Sequence, residues 1–316
     1  MIDRTVEAGG VARIHLMRLR RESWGVVECV GALDPALPRE SKMVLVVSSQ
    51  FGCPVGCLMC DAGRSFHDNL SAEEIHAQID FLLASWAGRD APRCPKLKVQ
   101  FARMGEPSLN PAVIDVISEL PARHRLPGLM PCVASVVPVR SSPWFAGLRI
   151  ARDEFYPGGM FQLQLSVQST SQSARERLIP FAVEGLEGLS MLASGFTGPG
   201  DRKVALNFAV AEGVPVDARV LREAFDPEKC LVKLTPLNAT GRSVESDLVS
   251  LFSSRSDAGI VDLASSIREA GFDVIVSVGL PVEGENGASC GQLAFAGAGG
   301  TPVSPAQSAA GAAPGA

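Results

Sequence analysis

Short apolar runs alternate with amphipathic stretches along most of this chain, and that alternation constrains its fold more than any other feature. Met43–Val47 is a continuous apolar run of strand length. Further strand candidates follow at Leu97–Ala102, Met130–Val137, Phe161–Val167, Val204–Val210, Cys230–Leu234 and Phe272–Val278. A run apolar on both faces suits a buried parallel strand, because helices cover a parallel sheet on either side. Helical patterns lie between most of these runs. Ser71 and Glu74 form a capping box, Leu70 is placed as its staple, and Ile75, Ile79, Leu82 and Leu83 share a face. Ala112–Leu120, Ala174–Leu189 and Ile260–Ala270 repeat the helical period. Such βαβ units predict an α/β fold, a partial (β/α)6 TIM-like barrel with its chemistry at the carboxyl ends of the strands. Ahead of it, Val11–Leu19 and Val26–Val30 predict an N-terminal β-hairpin extension. The expected organisation is a hairpin extension over 1–42, a core over 43–295, and a Gly-, Ala-, Pro- and Ser-rich tail over 296–316 that is expected to be disordered.

The first of these strands feeds directly into Cys53-Pro-Val-Gly-Cys57-Leu-Met-Cys60, a C-x3-C-x2-C spacing. Three thiolates so close in one loop can hold three corners of a [4Fe–4S] cube and leave the fourth iron open. A zinc site is the alternative, but zinc wants a fourth ligand, and His67 is the only nearby candidate. Eight cysteines and no apolar segment at the amino terminus point to a reducing cytoplasm rather than export. No stretch reaches the roughly 18 apolar residues of a membrane span. The net charge of −5 argues against a large nucleic-acid partner. Arg13, Arg18, Arg20 and Arg21 are the one place where a phosphate backbone could be held, and a solvated strand face is the plainer reading of them.

Polar residues recur where the predicted strands end. Gly105 and Glu106 close one strand, Ser135 lies late in the next, Ser166 and Gln168 end a later one, and Asn238 closes the segment after Cys230. A polar residue at a strand end is usually a turn former. Four such ends together fit a ring around one cofactor, with Glu106 able to receive an ammonium and Gly105 allowing close backbone approach.

The cysteine spacing is the signature of radical S-adenosylmethionine (SAM) enzymes, and the match narrows further. Val47–Cys53, the cluster loop, Gly63–Phe66, Asn69–Ser71 and Glu74–Ile75 resemble the RlmN/Cfr family of radical SAM methylases. The resemblance continues through Met104–Asn110, Leu165–Gln168, Arg177–Pro180 and Pro236–Asn238, and ends at Ser289-Cys290-Gly291-Gln292-Leu293. It covers about residues 11–295. Those enzymes methylate carbon 2 or carbon 8 of an adenine in ribosomal RNA, and some act on transfer RNA. The resemblance implies a radical SAM barrel, a [4Fe–4S] cluster on Cys53, Cys57 and Cys60, and SAM contacts at the strand ends. An electron donor such as flavodoxin or ferredoxin is implied as well. It further implies that Cys290 is methylated by one SAM, that a 5′-deoxyadenosyl radical takes a hydrogen from this S-methyl group, and that the methylene carbon adds to the substrate. A buried structural thiol is the plain alternative for Cys290, but a Gly- and Ser-rich loop is a poor place for one.

Three features depart from the family. Its second catalytic cysteine lies seven residues before the first cluster ligand, where this chain has Val46. Glu28 matches a family glutamate with a proton-acceptor role, the alternative being a surface strand residue, while Cys29 reads as a packed β residue. Gln168 stands where the family has a histidine. Only about ten residues precede Val11, where relatives carry a helical domain that helps grip RNA. The expected function is C-methylation of an unactivated carbon in a small or nucleotide-like molecule. The alternatives are RNA adenine methylation of the RlmN/Cfr type, or a non-methylating radical SAM reaction. Residues 281–290 are expected to form an ordering lid over the radical.

Overall fold

In the computed structural model of the protein, which describes residues 1–8, 10–34, 37–88, 93–252, 258–277 and 292–296, Met43–Val47 becomes strand β4. Three strands precede it: β1 (Ile2–Ala8), β2 (Ala12–Arg18) and β3 (Val26–Leu33). They pair antiparallel in sequence order, and β3 pairs antiparallel with β4. The hairpin is therefore a three-stranded meander continuous with the main sheet. β1 went unread because its burial pattern is mostly exposed, with none of the apolar run that marks a buried strand.

After β4 come a short hairpin of β5 (Gln50–Gly52) and β6 (Phe66–Asn69), then helix α1 (Ala72–Leu82), whose Ser71–Glu74 capping box forms as expected. The remaining elements are β7 (Leu97–Phe101), α2 (Ala112–His124), β8 (Leu129–Ser135), α3 (Ser142–Phe155), β9 (Gln162–Ser166), α4 (Gln172–Leu178) and α5 (Leu186–Phe196). They continue with β10 (Val204–Val210), α6 (Ala218–Ala224), β11 (Cys230–Pro236), α7 (Gly241–Glu245), α8 (Ala258–Glu269), β12 (Asp273–Val276) and α9 (Gln292–Ala296). The helix expected over Ala174–Leu189 is two helices, because Pro180 offers no backbone donor and its ring opposes a continuous helix.

The main sheet runs β1-β2-β3-β4-β7-β8-β9-β10-β11-β12, and every pairing from β4 to β12 is parallel. α1, α2, α3, α5, α6 and α8 all contribute to one core on the same face. There Leu45, Val99, Val133, Leu165, Leu206 and Val232 are fully buried beneath them. With its helices on one side, the sheet is a partial barrel whose other face looks inward. β1 and β12 are its edges among the described residues. The expected tail lies outside the described residues apart from Ala296, which ends α9. Among the described residues no helix is long and apolar enough to cross a membrane.

One buried residue makes this framework acid-sensitive. His15 on β2 is only 4% exposed, with Nδ1 paired to Thr5 Oγ1 at 2.9 Å and Nε2 without a hydrogen-bond partner among the described residues. Burial, with Arg13 adding to it, lowers its pKa from 6.5 to about 4. The unfolded chain therefore takes up this proton at higher pH than the native one. The stability involved is fully present above about pH 6.5 and is lost as pH falls toward 4. That loss is about 3 kcal/mol. It should appear as a falling urea midpoint over that window, and His15→Phe should flatten the dependence.

Candidate active site

The loop after β5 carries the three cysteines, and its backbone is tied down on several sides. Gly52, at φ +83°, lets the loop leave the hairpin against the Ser65 carbonyl, where any Cβ would collide. Cys53 N then donates to Ser65 O at 2.9 Å, and Leu58 N donates to Leu178 O at 2.9 Å. Val55 is buried against Val136, Leu178 and Ile179. From the far side, Arg242 in α7 donates to Gly63 O at 2.7 Å and to Gly56 O at 2.9 Å, and Thr240 Oγ1 donates to Met59 O at 3.1 Å. Buried Asp61 returns the grip, accepting from Gly241 N at 2.9 Å, Arg242 N at 3.0 Å and Arg64 Nε at 2.9 Å. Arg242→Met is expected to loosen this loop. Severalfold faster bleaching of the cluster's visible absorption under a chelator would register it.

Cys53, Cys57 and Cys60 are half-buried, are not joined in disulfides among the described residues, and lie near enough to act on one another electrostatically. Burial pushes the Cys53 thiol up to about 12 and the Cys57 thiol well above its ordinary range, with the neighbouring cysteines adding to the effect. Backbone N–H groups of Val55 and Gly56 oppose it at Cys53. A half-buried thiol triplet, with amides directed at the Cys53 sulfur, fits a cationic iron–sulfur group, which stabilises the thiolates that burial disfavours. His67, the nearby candidate for a fourth zinc ligand, stacks on Trp24 with ring centroids 5.2 Å apart.

Glu106 lies beside this loop, close enough to act on Cys53 and Cys57. Its Oε1 accepts from Ser108 N at 3.1 Å, Ser108 Oγ at 2.7 Å and Ser135 Oγ at 2.6 Å, and its Oε2 accepts from Val136 N at 3.0 Å. Burial raises its pKa, and those donors oppose the rise. Gly105, at φ +102°, packs its backbone on Ser49 and Gln50, whose side-chain atoms would lie 2.7 Å from any Cβ. Glu106, Ser135 and the cysteine loop thus converge at the carboxyl ends of β4, β7 and β8. Ser166 is half-buried at the end of β9, Gln168 stands at φ +64° with Oε1 accepting from Ala209 N at 2.8 Å, and Asn238 is exposed just after β11.

The amino-terminal meander supplies the other half. Glu28 is 0% exposed, so the surface reading of it is wrong. Its Oε2 accepts from Arg103 Nε at 2.7 Å and pairs with Arg103 Nη2 at 2.6 Å, while Oε1 accepts from Ala294 N in α9 at 2.9 Å. One residue earlier in α9, Leu293 packs with Val30, Val46, Ile14 and Ala12. Position 46 and Glu28 therefore share the face on which the Cys290 motif ends. Cys29 points the other way into the helical core, and burial pushes its thiol up to about 12, a poor base. Cys290 and the expected lid over 281–290 lie outside the described residues. Arg13, Arg18 and Arg20 pair with Glu7, Asp3, and Asp68 and Glu74, so three of the four candidate phosphate-binding arginines are already engaged. Arg103 was missed in the sequence. Its signal is a charge one residue before the Met-Gly-Glu-Pro turn, and only the pairing of distant strands explains it.

No family model matches the chain. A probable dual-specificity RNA methyltransferase RlmN of Chlorobium phaeobacteroides is 30% identical over 277 residues, covering 83% of this chain and 69% of that protein. Proteins of the same description from Chlorobaculum tepidum and Prochlorococcus marinus are 29% and 32% identical, and the matches span 54% and 51% of their lengths. Apart from the first, the chain thus spans only about half the length of these relatives. The fold is shared with the crystal structure of a radical SAM methyltransferase from Sphaerobacter thermophilus, at TM-score 0.69 and 23% identity over 92% of this chain and 80% of that one. Sequence likeness along most of the chain, a shared barrel and a clamped three-cysteine loop lead to one assignment: this chain belongs to the RlmN/Cfr family of radical SAM methyltransferases, enzymes that use a [4Fe–4S] cluster and SAM.

Proposed function

We propose that this chain is a C-methyltransferase that carries the methyl carbon on Cys290 and delivers it to an unactivated carbon of a small or nucleotide-like molecule. The observation that carries the reading is the docking of α9. Leu293 and Ala294 seat the end of the Cys290 motif on Val46, Val30 and Glu28, and Arg103 links that seat to the turn holding Glu106. On this reading Cys53, Cys57 and Cys60 hold the cluster, while Gly105, Glu106, Ser135, Ser166, Gln168 and Asn238 hold SAM. When bound, the pair supplies a 5′-deoxyadenosyl radical. Cys290 then serves as carbon carrier, and the α9 seat fixes where its loop ends. Glu28 is held by a guanidinium and a backbone amide, an arrangement that suits an anchor for α9. No disulfide joins the seven cysteines among the described residues, which suits the cytoplasm, with a flavodoxin- or ferredoxin-type reductant.

Protein isolated with an intact cluster should carry an S-methyl group on Cys290, read by peptide mass spectrometry. Free thiol alone, with no label transferred from methyl-labelled SAM, would overturn the proposal. A second reading, adenine methylation in RNA, draws on what the relatives' names say they act on. It predicts RNA-fragment binding that weakens steeply with salt. The paired arginines of β2 and the net charge of −5 favour the small substrate.

A further inference from the structure

The inner face of this barrel is not packed as barrel interiors usually are. Closed (β/α) barrels fill that space with layers of branched apolar side chains. Here the inward positions of β7, β9 and β11 include Lys98, Gln100, Gln164, Ser166, Lys233 and Thr235, and all six are half-buried. Their outward neighbours Val99, Leu165 and Val232 are completely buried. Polar side chains that keep partial exposure inside a curved sheet line an open chamber.

Two amines dominate that chamber. Cys132, inward on β8 and 2% exposed, lies within electrostatic reach of both Lys98 and Lys233 and takes a hydrogen bond from the Gln100 side chain. Among the described residues neither lysine has a hydrogen bond or ion pair. Burial, together with Lys42, lowers the pKa of both. Lys233 feels Lys98 in addition, and Lys98 feels Arg202. Asp34 acts on Lys98 from a distance, and it is paired with Lys42 at 2.6 Å. A third group is also unsatisfied. Asn207 stands in register between Ser166 and Lys233, is only 9% exposed, and its Oδ1 has no hydrogen-bond partner among the described residues. Two amines without such partners and an orphaned acceptor on one inner face are costly unless a ligand answers them.

We propose that this chamber binds the substrate's anionic end, a phosphate or carboxylate held between Lys98 and Lys233, with a donor on the same molecule reaching Asn207 Oδ1. The inference rests on the methyl-transfer reading and names its substrate class, a small anionic molecule. It accounts for an electropositive interior in a chain of net charge −5.

The test is calorimetric titration of the cluster-loaded enzyme with inorganic phosphate and, separately, with succinate, at an ionic strength held constant by sodium chloride. Saturable binding is expected for at least one. Phosphate alone would indicate a phosphorylated substrate, and succinate alone a carboxylate. Lys98→Met with Lys233→Met should weaken binding about tenfold or more, in keeping with the loss of charge-assisted hydrogen bonds. Circular dichroism and the cluster's visible absorption report folding, and the single Lys→Gln variants replace the double one if it fails to fold. Absence of saturable binding, or equal binding in the variants, overturns the proposal. If Cys290 is methylated while no anion binds, only the chamber assignment falls. If an anion binds while Cys290 stays unmethylated, the methyl-transfer reading falls instead.

Discussion

Cys290→Ala is expected to leave 5′-deoxyadenosine forming on reduction while methylated product falls by about four orders of magnitude, to background. The alanine has no sulfur to take a methyl group, so the carbon has no carrier, and removal of a covalent catalyst is not rescued by binding alone. The variant should nonetheless fold. α9 is held by Leu293 in its apolar seat and by the Ala294 amide on Glu28, neither of which involves position 290. Liquid chromatography of both products in one reaction is the measurement. Product formation by this variant would mean that methyl transfer takes a route without Cys290.

The second large effect is on stability. Glu28 and Arg103 form a pair with side chains 0% and 10% exposed, joined through both Nε and Nη2. Removing one partner strands a buried charge, so Arg103→Met should cost about 3–5 kcal/mol. The same change combined with Glu28→Met should cost clearly less, because no charge is then left unpaired. Denaturant midpoints for the two singles and the double give the coupling. A single variant within about 1 kcal/mol of the parent would show that the pair does not behave as a buried one. Because Glu28 also holds Ala294, Glu28→Gln should weaken α9 docking, read as faster proteolysis near residue 290.

The barrel strands were legible because each obeys a local rule. Met43–Val47 and Val204–Val210 are apolar runs that suit a strand covered by helices, and their observed limits match the expected ones. The capping box of α1 is equally local. β1 was not legible, since its residues are mostly exposed and its place depends on pairing with β2. α3 was missed too. It opens Ser142-Pro143-Trp144 and carries Arg149, Arg152, Asp153 and Glu154 on a weakly apolar stretch, so its helical period is faint until packing selects a face.

The three-cysteine loop opened the reading and needed no structure, because ligand spacing within eight residues is a property of the chain itself. The position of Ser135 and Ser166 at strand ends was legible for a similar reason, since strand ends can be read from polarity. What only the tertiary structure decided was which distant residues meet. Glu28 reads locally as a polar residue in a strand, yet it is completely buried between Arg103, 75 residues away, and Ala294, 266 residues away. Lys98, Cys132, Asn207 and Lys233 come from four different strands and read singly as incidental. Strand alternation turns them all to the inner face, and parallel register sets Asn207 beside Lys233, while Cys132 lies within electrostatic reach of both lysines. Spacing along the chain is written in the sequence, but convergence across a sheet depends on register and curvature, which long-range pairing sets.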